Sequence, residues 1–184
     1  MLISAREACT LLTREGVSRR GALKVLAAGL AGPATPARHA VLYEEARVAE
    51  LAARPSIYWP DAAEWSPGGF FVSRRAFPAT GSRSEQLAAL SGGWTSVSPW
   101  AWLLVALQLQ RHGPFPFVAT VGGLVVLGAD IVEVRGFSAL VLQEPGAWFD
   151  DVAGCWFPTG PGRPWVLHIG ALSRDPARPE KIAG

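Results

Sequence analysis

Three cations open a short helical pattern in the run "TREGVSRRGALKVLAAGL", Thr13 to Leu30. Arg19 and Arg20 follow Ser18 directly, and Lys24 stands about one helical turn after Arg20. A helix N-terminus already carries partial positive charge, so arginines in its first turn weaken the helix. What that end of a helix does well is bind anions, because its free backbone amides favour a phosphate. Guanidinium groups add charge and a fork of donors that fits phosphate oxygens or a guanine edge. The chemistry implied is recognition of a polyanion, with Ser18 as N-cap and Arg20, Lys24 or both within reach of base edges. The same residues also suit the solvated first turn of an ordinary helical hairpin, and the pattern alone leaves both readings open.

The elements that position these cations are legible on either side. Ser4-Ala5-Arg6-Glu7 is a capping box, followed by Ala5, Ala8, Cys9 and Leu12 at helical spacing. A first helix is expected over residues 5–14, ending before Gly16, with Val17 as an apolar plug in the turn. A second is expected over 19–28, with Ala22, Val25 and Leu26 inward and Gly29 as its stop. Next, "LAGPATPARHA" reads as a β-hairpin carrying Arg38 and His39, with a return strand at 39–43. A third short helix follows, with Val48 and Leu51 inward and Pro55 at its end. Helix, turn, helix, wing, helix is the winged arrangement, in which the second helix enters the major groove of DNA.

"LISAREACTLL…GVSRRGALKVLAAGL…VLYEEARVAELAAR" resembles the winged helix-turn-helix of the mercury-resistance-regulator (MerR) type and of phage excisionases. The turn Gly16-Val17-Ser18, the later Gly29-Leu30 pair and "Leu-Tyr-Glu-Glu-Ala-Arg-Val" carry the resemblance, which covers about the first 54 residues. It implies DNA contacts at Arg19, Arg20 and Lys24, beside Ser18, and wing contacts at Arg38 and His39. The chain departs from the pattern at Gly21, Leu23 and Val25, and is neutral at Ala27 and Ala28, where relatives are often basic. Gly21 inside a helix costs about 1 kcal/mol relative to alanine.

Charge follows the same division. The formal net charge is only +2, but residues 1–43 hold six basic and two acidic groups. Residues 56–184 hold nine basic and ten acidic. A basic first part and a near-neutral second part point to an anionic partner for the first alone. With 49% hydrophobic and 17% charged residues, the chain is too apolar for disorder. Cys9 and Cys155 are not expected to pair, and nothing in the opening residues suggests an export signal.

The expected fold class is α+β in two parts. Residues 1–55 form the winged helix-turn-helix, 56–69 a linker or arm, 70–172 an α+β domain for oligomerisation or sensing, and 173–184 a flexible tail. In the second part, helices are expected at 82–90 and from Pro99 to about Arg111, the latter started by Ser98-Pro99 and apolar nearly all round, hence buried and central. Strands are expected at 70–73, 115–121, 124–127, 131–134, 137–142 and 165–169, in a mostly antiparallel sheet. Eight tryptophans suit core packing or an aromatic interaction surface.

The functional expectation is a sequence-specific double-stranded DNA-binding protein, a transcriptional regulator acting as a homodimer or higher oligomer through residues 70–172. One alternative is an excisionase-like or nucleoid-type architectural factor. Another is a nuclease-like enzyme built on Asp130, Glu133 and Arg135. A structural or interaction protein without DNA binding is a third. No catalytic residue, metal site or cofactor is assigned. No membrane association is expected, a small-molecule ligand is left undefined, and the expected location is the cytoplasm, on the nucleoid. His112, His168 and Cys155 lack metal-ligand spacing.

Overall fold

The computed structural model describes residues 1–13, 17–38, 40–58, 62, 66–157 and 162–170. Two sheets and their flanking helices make a mixed α+β chain without a closed barrel. The order begins β1 (Leu2–Ser4), α1 (Ala5–Leu12), α2 (Arg19–Ala27), β2 (Thr35–Ala37), β3 (Ala40–Glu44) and α3 (Glu45–Ala53). It continues β4 (Gly69–Ser73), α4 (Arg83–Ser91), α5 (Pro99–His112), β5 (Phe115–Val121), β6 (Leu124–Arg135), β7 (Ala139–Gln143) and β8 (Trp165–Ile169). A 3-10 turn, Ala147–Phe149, separates β7 from β8.

In the first module, β1, β3 and β2 form an antiparallel sheet in that order. The Ser4 cap of α1 forms as its spacing implies: Ser4 Oγ accepts from the Glu7 amide, and the Glu7 carboxylate accepts from the Ser4 amide at 2.8 Å. These bonds, the Ser4 backbone one first, hold the Glu7 carboxyl below the usual glutamate range. α2 ends at Gly29, whose φ of 74° suits glycine, with Leu30 N donating to the Val25 carbonyl. Ala8, Cys9, Leu12, Val17, Ala22, Val25, Leu26, Val48 and Leu51 are buried together. This core is closed by residues from the second module, Leu124 and Trp156.

The larger sheet has the order β7-β6-β5-β4-β8, antiparallel except for the parallel pair β4–β5. One face carries α4 and α5 over Phe71, Trp94, Trp102, Phe117, Leu127 and Trp165. The other is covered by Ala62, Trp148, Phe149 and Phe157 over Phe70, Val72, Val118 and Val125. Ser82 and Ser98 cap α4 and α5, and Glu85 completes a capping box at the first.

Two expectations need correction. Residues 124–127 and 131–134 belong to one strand, β6, with a register shift between Ile131 and Glu133 in place of a Gly-Ala-Asp turn. Gly128 stays in the strand because the Phe149 ring lies flush on it, where a β-carbon would overlap that ring. Helix α5 is not buried all round. It sets Ala101, Trp102, Val105 and Gln108 against the sheet, and among the described residues no outer layer covers its far face, where Trp100 is 65% and Leu103 46% exposed. At the start of the segment expected as a linker or arm, Ser56 bridges to Trp156, and Ile57 N donates to the Trp156 carbonyl at 2.7 Å. The segment 173–184 lies outside the described residues. No described helix is long and apolar enough to cross a membrane.

Candidate nucleic-acid interface

Helix α2 takes its place through its apolar face. Ala22, Val25 and Leu26 pack into the first module's core, and the Cys9 thiol lies 3.5 Å from the Arg19 carbonyl oxygen, linking α1 to the start of α2. Helical geometry then turns Arg19, Arg20, Leu23, Lys24 and Ala27 outward, and all five are exposed. Arg20 and Lys24 are i,i+4 neighbours on one face, as are Arg19 and Leu23. Ser18 caps the helix, its hydroxyl oxygen accepting from Gly21 N at 3.2 Å, which leaves its hydroxyl hydrogen to donate outward.

The electrostatics of α2 differ from those of its neighbours. α1 and α4 place Glu7 and Glu85 in their first turns, where a carboxylate offsets the helix dipole. The first turn of α2 has no acidic residue and two arginines. Among the described residues, ion pairs occupy Arg47 with Glu44 at 2.8 Å, Arg83 with Glu144 at 2.9 Å and Arg135 with Glu133 at 2.9 Å. Arg19, Arg20, Lys24 and Arg38 have no such carboxylate partner there. Dipole and side chains therefore add to a positive field on one exposed face, the arrangement that attracts phosphate.

The β2–β3 hairpin carries the fourth cation. Thr35–Ala37 is exposed along its length, Ala37 pairs with Ala40, and Arg38 sits exposed at the turn. His39 lies outside the described residues. Between the segment after α2 and helix α3, a cavity of about 310 Å³ is lined by Leu30, Ala31, Gly32, Arg47, Glu50, Leu51 and Arg54. Its charges are mixed and Arg47 is already tied to Glu44, so it offers no one-signed field.

The structure thus places Ser18, Arg19 and Arg20 at the start of α2, Lys24 in its last turn on the face of Arg20, and Arg38 on the hairpin that follows in the chain. Leu23 is the residue on this face that charge-based reasoning passes over. It is 46% exposed between Arg19 and Lys24, where an apolar side chain can meet a thymine methyl. Its signal in the sequence is a leucine out of phase with Ala22, Val25 and Leu26.

The other candidate groups are arranged differently. Asp130 is buried, one carboxylate oxygen accepting from Trp148 Nε1 and the other from Gly146 N, each at 2.9 Å. Glu133 and Arg135 pair with each other on the surface, which holds the Glu133 carboxyl below its usual range. His112 is exposed, the His168 ring stands 5.2 Å from that of Phe70, and burial raises the Cys155 thiol above its ordinary value. Among the described residues, no group of three His, Cys, Asp or Glu side chains is placed to hold a metal ion. No family model, curated protein or solved structure matches the chain.

Proposed function

We propose that residues 1–55 are a winged helix-turn-helix that binds double-stranded DNA. In this reading α2 is the recognition helix and the β2–β3 hairpin is the wing. The order β1, α1, α2, β2, β3, α3 is compatible with that assignment. The observation that carries it is the exposed set Arg19, Arg20 and Lys24, without a carboxylate partner among the described residues, on a helix whose first turn contains no acid. Arg19, Arg20, Lys24 and Arg38 neutralise phosphates beside the Ser18 hydroxyl, and Arg20 and Lys24, flanking Leu23, also come within reach of base edges. His39 belongs to the wing by resemblance.

Four cations neutralise about four phosphates, too few for tight specific binding by one copy. The protein therefore acts as a homodimer or higher oligomer through residues 70–172, in transcription regulation. Trp100 and Leu103, facing outward on α5, supply apolar surface for that association. A second reading is an excisionase-like or nucleoid-type factor that coats or bends DNA. It is favoured by the neutral Ala27 and the lack of charge in α2 beyond Lys24, which leave few groups to read sequence.

Selection from a pool of random duplexes tests both. The wild-type protein retards duplex DNA at low salt, and the triple variant Arg19→Ala, Arg20→Ala, Lys24→Ala does not. A sharp consensus identifies a regulator, and enrichment without one identifies a coating factor. Retardation unchanged in the triple variant sinks the interface. Sedimentation of the protein with DNA tests the oligomer, and a monomer on DNA at micromolar concentration counts against it.

A further inference from the structure

The first module's helix α2 does not stand alone. Its position Gly21 faces the two-residue turn Gly122–Gly123 that joins β5 to β6, the central hairpin of the large sheet. A β-carbon on Gly21 would stand 2.7 Å from the Gly122 carbonyl oxygen. One on Gly122, whose φ is 61°, would overlap the Gly21 carbonyl. Both positions therefore need glycine, and the two backbones meet without side chains between them. Leu124, the first residue of β6, is buried in the first module's core. Trp156 is buried beside it, and its Nε1 donates to the Leu51 carbonyl of α3 at 2.9 Å. The same contact accounts for a glycine inside a helix that propensity alone disfavours.

We propose that the β5–β6 hairpin is the mount of the recognition helix. Gly21, Gly122 and Trp156 are then positioning residues, which fix the direction in which α2 presents Arg20 and Lys24 to DNA. Gly21 lies about 100° round the helix from Arg20, so the turn flanks the exposed face without covering it. This inference rests on the DNA-binding reading for its functional part. The mount itself is independent of that reading and can be measured without DNA.

Hydrogen exchange on the full chain, with and without duplex, tests it through Gly21→Ala. Alanine is the better helix former, so an unmounted α2 would be more protected in this variant. The mount predicts the opposite: amides of residues 19–27 exchange about tenfold faster, because the added methyl forces helix and turn apart. Gly122→Ala should do the same. Gly136→Ala is the matched control, a turn glycine with φ of 56° at which a β-carbon meets nothing within 4 Å. It should leave α2 unchanged. On duplex DNA, Gly21→Ala and Gly122→Ala should weaken binding by about tenfold, and Gly136→Ala should not. Slower or unchanged α2 exchange in Gly21→Ala overturns the mount, whatever DNA does. Faster exchange with unaltered affinity overturns its positioning role. Faster exchange in a protein that retards no duplex at low salt supports the mount and sinks the DNA reading.

Discussion

The two modules use the same residue types for opposite ends. In the second, arginines serve the fold: Arg75 lies 4.5 Å from the Trp94 ring centroid, Arg163 lies 5.6 Å from that of Trp165, and Arg83 and Arg135 hold carboxylates. In the first, Arg19, Arg20, Lys24 and Arg38 point to solvent and hold no carboxylate among the described residues. The cores differ as well. Trp94, Trp102 and Trp165 fill the second module, whereas residues 1–55 contain Tyr43 as their single aromatic and borrow Trp156 to close their core. A small core of alanine, valine, leucine and cysteine is completed by Leu124 and Trp156 of the second module. It positions a charged face and depends on its larger neighbour for rigidity.

That dependence predicts the largest effect. Trp156→Ala should cost about 3–5 kcal/mol, through lost burial and the cavity left in the first module's core. Urea unfolding should show one transition in the wild type and earlier loss of the first module's helices in the variant. A cost well under 1 kcal/mol would mean that the modules are merely adjacent. Asp130→Ala is the sharper probe of the second module. It removes the carboxylate that accepts from Trp148 Nε1 and Gly146 N, and should cost about 1–3 kcal/mol in thermal unfolding. Glu133→Gln, at an exposed pair on the same strand, should leave the melting temperature unchanged. Metal-dependent DNA cleavage lost with Asp130→Ala would instead revive the nuclease reading.

The smallest effect concerns acid. Hydrogen bonds to Ser4 hold Glu7, and those to Ser82 hold Glu85, below the ordinary glutamate value of 4.5. A carboxyl whose folded pKa is depressed binds fewer protons in the folded state than in the unfolded state. Its contribution is therefore complete above pH 4.5 and is lost as pH falls through the folded values. Melting temperature against pH should fall less steeply on the acid side in Glu7→Gln with Glu85→Gln than in the wild type. An identical acid limb in both proteins would contradict the assignment.

What could be read from the sequence was local. The Ser4 capping box, the Ser98-Pro99 start and the buried faces of α1, α2 and α3 depend on spacings within a turn or two, and each appears where its residues imply. The errors came from contacts between distant segments. Gly128-Ala129-Asp130 has turn composition, but Phe149 and Trp148 claim it for a strand. Helix α5 is apolar on two sides, and only the architecture decides that one side stays uncovered. Gly21 looks like a fault in a recognition helix until Gly122, about a hundred residues away, is placed against it. The cations were visible from the start, whereas their lack of a carboxylate partner among the described residues is read from the fold.

The central claim is that Arg19, Arg20, Lys24 and Arg38 form a phosphate-binding face, and salt dependence tests it most directly. Fluorescence anisotropy on a labelled duplex should give a plot of log affinity against log salt with a slope of about −3 to −4 per bound copy. Arg19→Ala should reduce that slope by about 0.9, the signature of one lost phosphate contact. Binding with no salt dependence, or a slope unmoved by any of the four substitutions, would contradict the account.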